Sequence, residues 1–230
     1  MAIQAAATTD YFGLTSGFPN SGNGGGTSGA VTIMIWFDFT VVPSGFTNYM
    51  VTLGNGTDDS WSVENDGGTP NNKTGIYSDG GSDVWGTANL TINTWNSIAI
   101  TISAAGAIHS YINGVADITS GTQSSSITAT ALRMGASAAG DHLNVGDSFY
   151  GLKIWNRELS GAEVATEDGS YSPVSMTSLY DSWLLTAVAS TLTGTQGHVL
   201  TRNASSFTTF TDPPSKGGSP AVKLRYRSVA

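Results

Sequence analysis

Apolar and polar residues alternate with a period of two in the middle of the chain, over residues 93–114. Isoleucine recurs at every second position of residues 98–102, and a second run, residues 107–112, has the same period. This alternation is typical of strands with one apolar face. Asn113-Gly114 follows, a pair preferred in type I′ turns because both positions need a positive φ. The segment therefore predicts a β-meander of strand, turn, strand, turn and strand.

The most hydrophobic run of the chain, residues 31–40, is apolar on both faces of its predicted strand. Ile33 and Ile35 alternate with Met34 and Trp36. A strand with this composition is expected at the centre of a sheet, where both of its faces are covered. We therefore expect a second layer of structure on each side of it.

Signals for one short helix appear later in the chain. Ser160 and Glu163 have the spacing of a capping box, in which each side chain satisfies a backbone N–H group of the other residue. Leu159 precedes the cap as a hydrophobic staple, and Gly169 can end the helix. The pattern predicts a helix near residues 160–168 of an otherwise all-β chain.

The composition narrows the class of protein. The chain has 230 residues, no cysteine and 11% charged residues. This length fits one large all-β domain, and the lack of cysteine excludes disulfides and thiolate metal sites. The first ten residues lack the basic and apolar regions of a signal peptide, and no apolar run is long enough to span a membrane. We expect a chain that is made in a cytoplasm and does not contact a membrane.

The charge is divided unevenly along the chain. The formal net charge is −8, but residues 213–230 hold four basic residues and no acidic one, which leaves −12 for residues 1–212. An acidic body is not expected to bind nucleic acid, since that binding depends on cationic side chains that release counterions. We expect the tail to be extended and to bind a partner through its basic residues, Lys216, Lys223, Arg225 and Arg227.

Two segments carry a resemblance to a known family. Trp95 opens one strand of the meander, and residues 111–114, Tyr-Ile-Asn-Gly, end the next. Residues 149–156 form an aromatic-glycine strand that runs into residues 156–163, which read Asn-Arg-x-Leu-Ser-x-x-Glu. Together they resemble the laminin-G-like branch of the concanavalin A-like lectin/glucanase superfamily. The resemblance implies an all-β fold, a two-sheet antiparallel jelly-roll sandwich.

We expect the chain to divide into four segments. Residues 1–30 hold an N-terminal strand and a Gly/Ser-rich loop of the same domain, and residues 31–170 hold the jelly-roll core. Residues 171–212 resemble an addition found in phage and bacterial members, which is expected to pack on the sandwich. Residues 213–230 form the basic tail.

Catalysis finds little support in the sequence. The glycoside hydrolases of this superfamily carry Glu-x-Asp-x-x-Glu, because hydrolysis needs two carboxylates close together. Glu64 and Asp66 begin that pattern, but Thr69 stands where the second glutamate belongs. The three histidines, at 109, 142 and 198, do not have the spacing of metal ligands. We therefore predict that the chain is not an enzyme.

Ligand binding has two candidate groups of residues. Sugar sites of this fold combine an aromatic side chain with nearby Asp or Asn, and the matching residues here are Trp61, Tyr77, Asp79, Asp83 and Trp85. The resemblance also suggests a loop calcium site, because carboxylate oxygens are ligands that Ca²⁺ prefers. Its candidates are Asp58, Asp59, Asp79 and Asp83, with Asp141 and Asp147 as another pair, although none forms an intact motif. No other cofactor is expected.

Two functions remain open. The first is a virion structural protein, a bacteriophage capsid decoration (cement) protein that binds the outside of an assembled shell. It would be a homo-oligomer whose partner is the major capsid protein or another shell protein, and its location would be the virion. The alternative is a carbohydrate-binding module or lectin that recognises surface glycans.

Overall fold

The computed structural model describes residues 2–4, 11–14, 16–18, 29–40, 47–54, 60–66, 73–78, 84–119, 121–122, 131–136, 147–186, 189–203, 207–210 and 213. In a few strands, β5 among them, only the backbone is described. The strands are β1 (Ala2–Gln4), β2 (Phe12–Leu14), β3 (Val31–Asp38), β4 (Thr47–Gly54), β5 (Ser60–Asp66), β6 (Lys73–Ser78), β7 (Val84–Asn89), β8 (Asn96–Ile102), β9 (Ala107–Ile112), β10 (Val115–Ala116), β11 (Gly121–Thr122), β12 (Ala131–Met134), β13 (Ser148–Trp155), β14 (Leu179–Leu184), β15 (Thr191–Thr193), β16 (Val199–Arg202) and β17 (Thr208–Phe210). The helix found among the described residues, α1, spans Gly161–Asp168.

Two antiparallel sheets form a sandwich. The first, sheet A, has the order β10-β9-β8-β3-β13-β1-β17, with β11 paired to β9 and β14 paired to β13. The second, sheet B, has the order β15-β16-β2-β12-β4-β5-β6-β7. This arrangement confirms the expected all-β jelly roll. Segments distant in sequence meet in it: β14 extends sheet A, while β16 pairs with β2 in sheet B.

The main core lies between the two sheets. Alternate residues of β3 and β8 point into it, and Ile35, Phe37 and Ile98 are fully buried there. Phe12 of β2 and Leu132 of β12 meet them from sheet B, and both are also fully buried. Burial of apolar area on this scale is the main contribution to folding free energy.

A smaller core lies on the other side of sheet A, beneath α1. Met34 and Trp36 of β3 pack there with Trp155, Leu159 and Val164. The strand β3 is therefore buried on both faces along its whole length, as its sequence predicted. The helix is the cover on its outer side.

The meander and the helix also form as predicted. Asn113 and Gly114 join β9 to β10 with φ values of 51° and 76°, the left-handed region that the turn requires. Ser160 is the N-cap of α1, and both hydrogen bonds of its capping box with Glu163 are present. Gly169 ends the helix in a right-handed conformation, with a φ of −67°.

Residues 214–230 of the predicted tail, which was expected to begin at residue 213, lie outside the described residues. Its first residue, Pro213, is buried. Among the described residues, no helix has the length and apolar character needed to cross a membrane.

Candidate functional site

A cleft of about 300 Å³ opens on the outer surface of sheet B, where β16, β2 and β12 lie side by side. We call it the Tyr11 cleft. Phe12 and Leu14 of β2 point into the core, so the alternation of the strand directs Gly13 outward. The residues that line the cleft are Tyr11, Gly13, Leu14, Ala131, Arg133, Thr201, Arg202 and Asn203.

Gly13 forms the floor of the Tyr11 cleft. Its backbone is paired with Arg133 on one side and with Thr201 on the other. A Cβ at this position would lie 3.2 Å from the carbonyl oxygen of Leu132 and 3.5 Å from the ring of Tyr11. A side chain would therefore fill the space that the cleft occupies.

Tyr11 and Arg133 form one wall of the cleft. The guanidinium carbon of Arg133 lies 5.1 Å from the centre of the Tyr11 ring, the distance of a cation–π contact. Both side chains are partly exposed. The contact holds the aromatic ring beside the glycine floor.

The opposite wall comes from β16 and the residue after it. The N–H group of Asn203 donates to the carbonyl oxygen of Tyr11 at 3.0 Å, which places Asn203 opposite the aromatic residue. Thr201 faces the glycine floor across the strand pair. Thr201 and Asn203 are both exposed.

A buried carboxylate fixes the hairpin that carries this wall. Asp181 is fully buried, and its Oδ1 accepts the N–H groups of Ser182 and Gln196, each at 2.7 Å. Its Oδ2 accepts the N–H group of His198 at 2.8 Å and lies 3.0 Å from Nδ1 of the same histidine. Asp181 therefore anchors the turn between β15 and β16.

The same histidine connects this hairpin to the N-terminal segment. The ring of Tyr180 stacks on His198 with 4.2 Å between ring centres, and its hydroxyl donates to the carbonyl oxygen of Gly17. Burial, and then the nearby Asp181 carboxylate, raise the pKa of the Tyr180 hydroxyl far above its usual value. The hydroxyl therefore stays protonated and remains a donor.

The aromatic group predicted from sequence lies elsewhere on sheet B. Trp61, Tyr77 and Trp85 are on the neighbouring strands β5, β6 and β7, whereas Asp79 and Asp83 lie outside the described residues. Only the backbone is described at Trp61 and Tyr77.

Trp85 is the member of that group whose side chain is described, and it is partly buried. Its ring packs on Gly75 of β6, where a Cβ would lie 2.1 Å from the ring atom Cζ3. One face of the ring is therefore occupied by its own sheet. The grouping as a sugar site stays a prediction.

The calcium candidates are also mostly outside the described residues, which is true of Asp58, Asp59, Asp79, Asp83 and Asp141. Asp147 is buried, and its Oδ1 accepts the N–H group of Thr40 at 3.1 Å. In the described part of the chain, no three His, Asp or Glu residues are grouped so that they could hold a metal ion.

Two of the histidines lie beside carboxylates. Nδ1 of His109 lies 3.5 Å from Glu158, and Nδ1 of His198 lies 3.0 Å from Asp181. His142 is outside the described residues. The basic tail residues Lys216, Lys223, Arg225 and Arg227 are outside them too, so their role stays a prediction.

Sequence reasoning did not find the Tyr11 cleft. The alternation of Tyr11 and Gly13 with two apolar residues was visible in the sequence, but the pairing of β2 with both β12 and β16 was not. These pairs join residues about 120 and 190 positions apart, and short strands do not encode their partners.

The fold has known relatives in solved structures. A Bacteroides ovatus protein for which carbohydrate binding has been suggested has a TM-score of 0.67 and 13% identity, and the match covers 93% of this chain and 61% of that protein. A heptameric SAP-like pentraxin from Limulus polyphemus has a TM-score of 0.55 and 12% identity, with 89% of this chain and 96% of that one covered. Likeness at this identity shows the fold alone.

A sialidase from Trypanosoma rangeli matches with a TM-score of 0.50 and 12% identity, over 73% of this chain and 32% of the sialidase. This chain thus spans about three fifths of the Bacteroides protein and a third of the sialidase. No curated protein matches this chain in sequence.

A family model matches residues 10–165, about two thirds of the chain. The match includes β2, β12 and the floor of the Tyr11 cleft, while β16 and Asn203 lie beyond it. The two-sheet fold, the meander and the capped helix agree with the match. The chain belongs to the laminin-G-like part of the concanavalin A-like lectin/glucanases superfamily.

Proposed function

We propose that this protein is a carbohydrate-binding module that holds a sugar in the Tyr11 cleft. The observation that carries the proposal is an aromatic ring fixed beside a glycine floor on an outer sheet surface. The cleft volume of about 300 Å³ is at the lower end of the range, on the order of 300–1,000 Å³, that small-molecule sites occupy.

The chemistry of the cleft suits a sugar. A pyranose ring has apolar C–H groups that can pack on an aromatic face, and hydroxyls at its edge that need hydrogen-bond partners. Tyr11 offers the apolar surface together with a polar end. The surrounding residues offer hydroxyl, amide and guanidinium groups, which cover both donor and acceptor roles.

The comparison with known folds supports the same proposal. The Bacteroides ovatus protein that shares this fold has been suggested to bind carbohydrate. Because the identity is 13%, that likeness bears on the fold, and the argument for binding rests on the cleft.

The experiment is a glycan array with the full chain, followed by titration calorimetry on each hit. Tyr11→Ala removes the aromatic wall, and Trp85→Ala is the matched control from the site predicted by sequence. We expect Tyr11→Ala to abolish binding and Trp85→Ala to keep it. Loss of binding in Trp85→Ala with retention in Tyr11→Ala would move the site to β7, and absence of any glycan hit would reject carbohydrate binding.

We also propose that the module binds its ligand without turning it over. Glu64 and Asp66 lie on β5, but the superfamily's second glutamate is replaced by Thr69. Incubating a bound oligosaccharide with the protein and measuring reducing ends should show no new ends. Release of sugar above the buffer control would contradict this.

A second proposal is attachment to a viral shell as a decoration protein, and it rests on the sequence. The tail carries four basic residues and no acidic one, whereas residues 1–212 have a formal net charge of −12, so the tail suits an acidic neighbour. Co-sedimentation with assembled particles should be lost when Lys216, Lys223, Arg225 and Arg227 are all changed to Gln. Unchanged co-sedimentation would reject the tail as an anchor, and a chain that never sediments with particles would reject the function.

A further inference from the structure

We infer that the ligand of the Tyr11 cleft is a neutral glycan, and that Thr201 and Asn203 determine which glycan binds. This inference rests on the proposed carbohydrate binding and goes further, because it names the class of sugar and the residues that select it. Both residues lie beyond residue 165, where the family match ends. The selecting wall is therefore a feature of this chain's C-terminal segment.

The first observation is the state of the two side chains. Thr201 and Asn203 are exposed, and within the described part of the chain neither side chain makes a hydrogen bond. Other threonines behave differently: Thr32 donates to the carbonyl oxygen of Arg157 at 2.8 Å, and Thr166 donates to that of Ala162 at 2.9 Å. The polar groups of Thr201 and Asn203 are thus available to a ligand.

The second observation is their position. Asn203 is held opposite Tyr11 by a backbone hydrogen bond of 3.0 Å, and Thr201 is paired with Gly13. A sugar on the glycine floor with one face on Tyr11 would place its edge at this wall. An amide carries two donors and one acceptor group, so Asn203 can serve two neighbouring hydroxyls at once. Thr201 adds one donor and acceptor.

The third observation concerns charge. Arg133 is already engaged with the ring of Tyr11 at 5.1 Å, and it has a further interaction within the molecule. Arg133 therefore holds the Tyr11 ring in the aromatic wall. Arg202, the other arginine of the lining, is paired with Phe12, whose side chain points into the core, so strand alternation directs the Arg202 side chain to the inner face of sheet B. The exposed side chains of the opposite wall, Thr201 and Asn203, are uncharged, which fits hydroxyls better than a carboxylate or sulfate.

The rigidity of the wall supports a selecting role. The hairpin that carries β16 is held by Asp181, whose carboxylate accepts two backbone N–H groups of the turn within 2.8 Å. The indole N–H of Trp183 donates to the carbonyl oxygen of His198 at 3.0 Å. Groups placed on a fixed element lose little freedom on binding, and this favours discrimination between similar ligands.

The test uses the full chain with matched neutral and acidic polysaccharides, such as a galactan and a polygalacturonate. Thr201→Val removes a hydroxyl at constant shape, and Asn203→Ala removes the amide. The control is Thr193→Val, an exposed threonine of β15 that does not line the cleft. We expect each cleft variant to lower the affinity for the neutral glycan about five- to tenfold, and the control to leave it unchanged.

Two further measurements distinguish this inference from the proposed carbohydrate binding on which it rests. Affinity for the neutral ligand should be the same at 50 mM and 500 mM NaCl, since no charge pair forms. Binding that Tyr11→Ala abolishes but that Thr201→Val and Asn203→Ala leave intact would overturn the inference and keep the proposed function. Preference for the acidic polymer with strong salt dependence would also overturn it, whereas no binding to any glycan would reject both.

Discussion

The outer faces of the two sheets differ in whether another element covers them. On sheet A, apolar residues of β3 point outward and α1 covers them, so that Trp36 and Trp155 are buried. On sheet B, the outward position of β2 is Gly13, and the surface there stays open as the Tyr11 cleft. One face contributes stability, and the other leaves polar groups available for a ligand.

The covered face of sheet A also contains a buried ion pair. Beneath α1, Nζ of Lys153 lies 2.7 Å from Oε2 of Glu167, and both side chains are 1% exposed. Nζ also donates to the carbonyl oxygen of Ser170 at 2.7 Å and lies 4.9 Å from the centre of the Trp36 ring. Burial lowers the pKa of Lys153, and Glu167 opposes that shift. A covered face requires every charge to be paired.

The largest effect is expected from breaking that buried pair with Glu167→Gln. The change leaves Lys153 buried without its carboxylate partner, and it weakens the hydrogen bonds that the carboxylate accepts from the N–H groups of Val174 and Ser175. We expect a loss of about 3–5 kcal/mol in the free energy of unfolding, measured by urea denaturation. Glu158→Gln, a partly exposed carboxylate beside His109, should change it by less than about 0.5 kcal/mol.

Glycan affinity of the folded Glu167→Gln protein should equal that of the wild type. An equal loss of affinity would show that the two faces are coupled, and the comparison between them would then fail.

The next largest effect is expected from Asp181→Asn, which acts on the open face through its support. An amide cannot accept as strongly from the N–H groups of Gln196 and His198, and it must place a donor where the carboxylate has only acceptors. We expect a loss of about 2–3 kcal/mol in unfolding free energy and at least a fivefold loss of glycan affinity. Unchanged affinity would show that β16 needs no support from Asp181.

Gly13→Val tests the open face directly. The added side chain fills the floor of the cleft, so glycan binding should be lost, as calorimetry would show. The change in unfolding free energy should stay within about 1 kcal/mol, because β-branched residues suit strands while the new Cβ approaches the Leu132 carbonyl oxygen closely. Gly169→Ala, at the end of α1, is the control whose binding should be unaffected.

The sequence predicted the covered face better than the open one. Met34 and Trp36 alternate with a second apolar series, so a cover over β3 could be expected, and Ser160 with Glu163 located the helix that supplies it. These signals are local, because a capping box and an alternating strand pattern each involve residues that are close in sequence.

The open face depends on long-range pairing instead. Tyr11, Arg133 and Asn203 come together because β2 lies between β12 and β16, and none of these short strands specifies its partner. Sequence reasoning did not predict the buried pair of Lys153 and Glu167, because a single lysine in an apolar strand is normally expected at the surface. Contacts of this kind require the structure.

The smallest effect is expected at the start of α1, from Glu163→Gln. Arg157 donates to Oε1 of Glu163 at 2.7 Å, and the N–H group of Ser160 donates to Oε2 at 2.9 Å. Arg157 first, and then Ser160, lower the pKa of Glu163 from 4.5 to about 2. A carboxyl whose pKa is lowered in the folded state stabilises the fold at pH values above its unfolded pKa. That contribution is lost as the pH falls through the folded pKa.

At pH 7 we expect the Glu163→Gln variant to be less stable by about 1 kcal/mol. The difference from wild type should shrink between about pH 4.5 and pH 2, as urea denaturation at each pH would show. A difference that stays constant down to pH 2 would mean that the charge of Glu163 does not stabilise α1, and that the packing of the Glu163 side chain does.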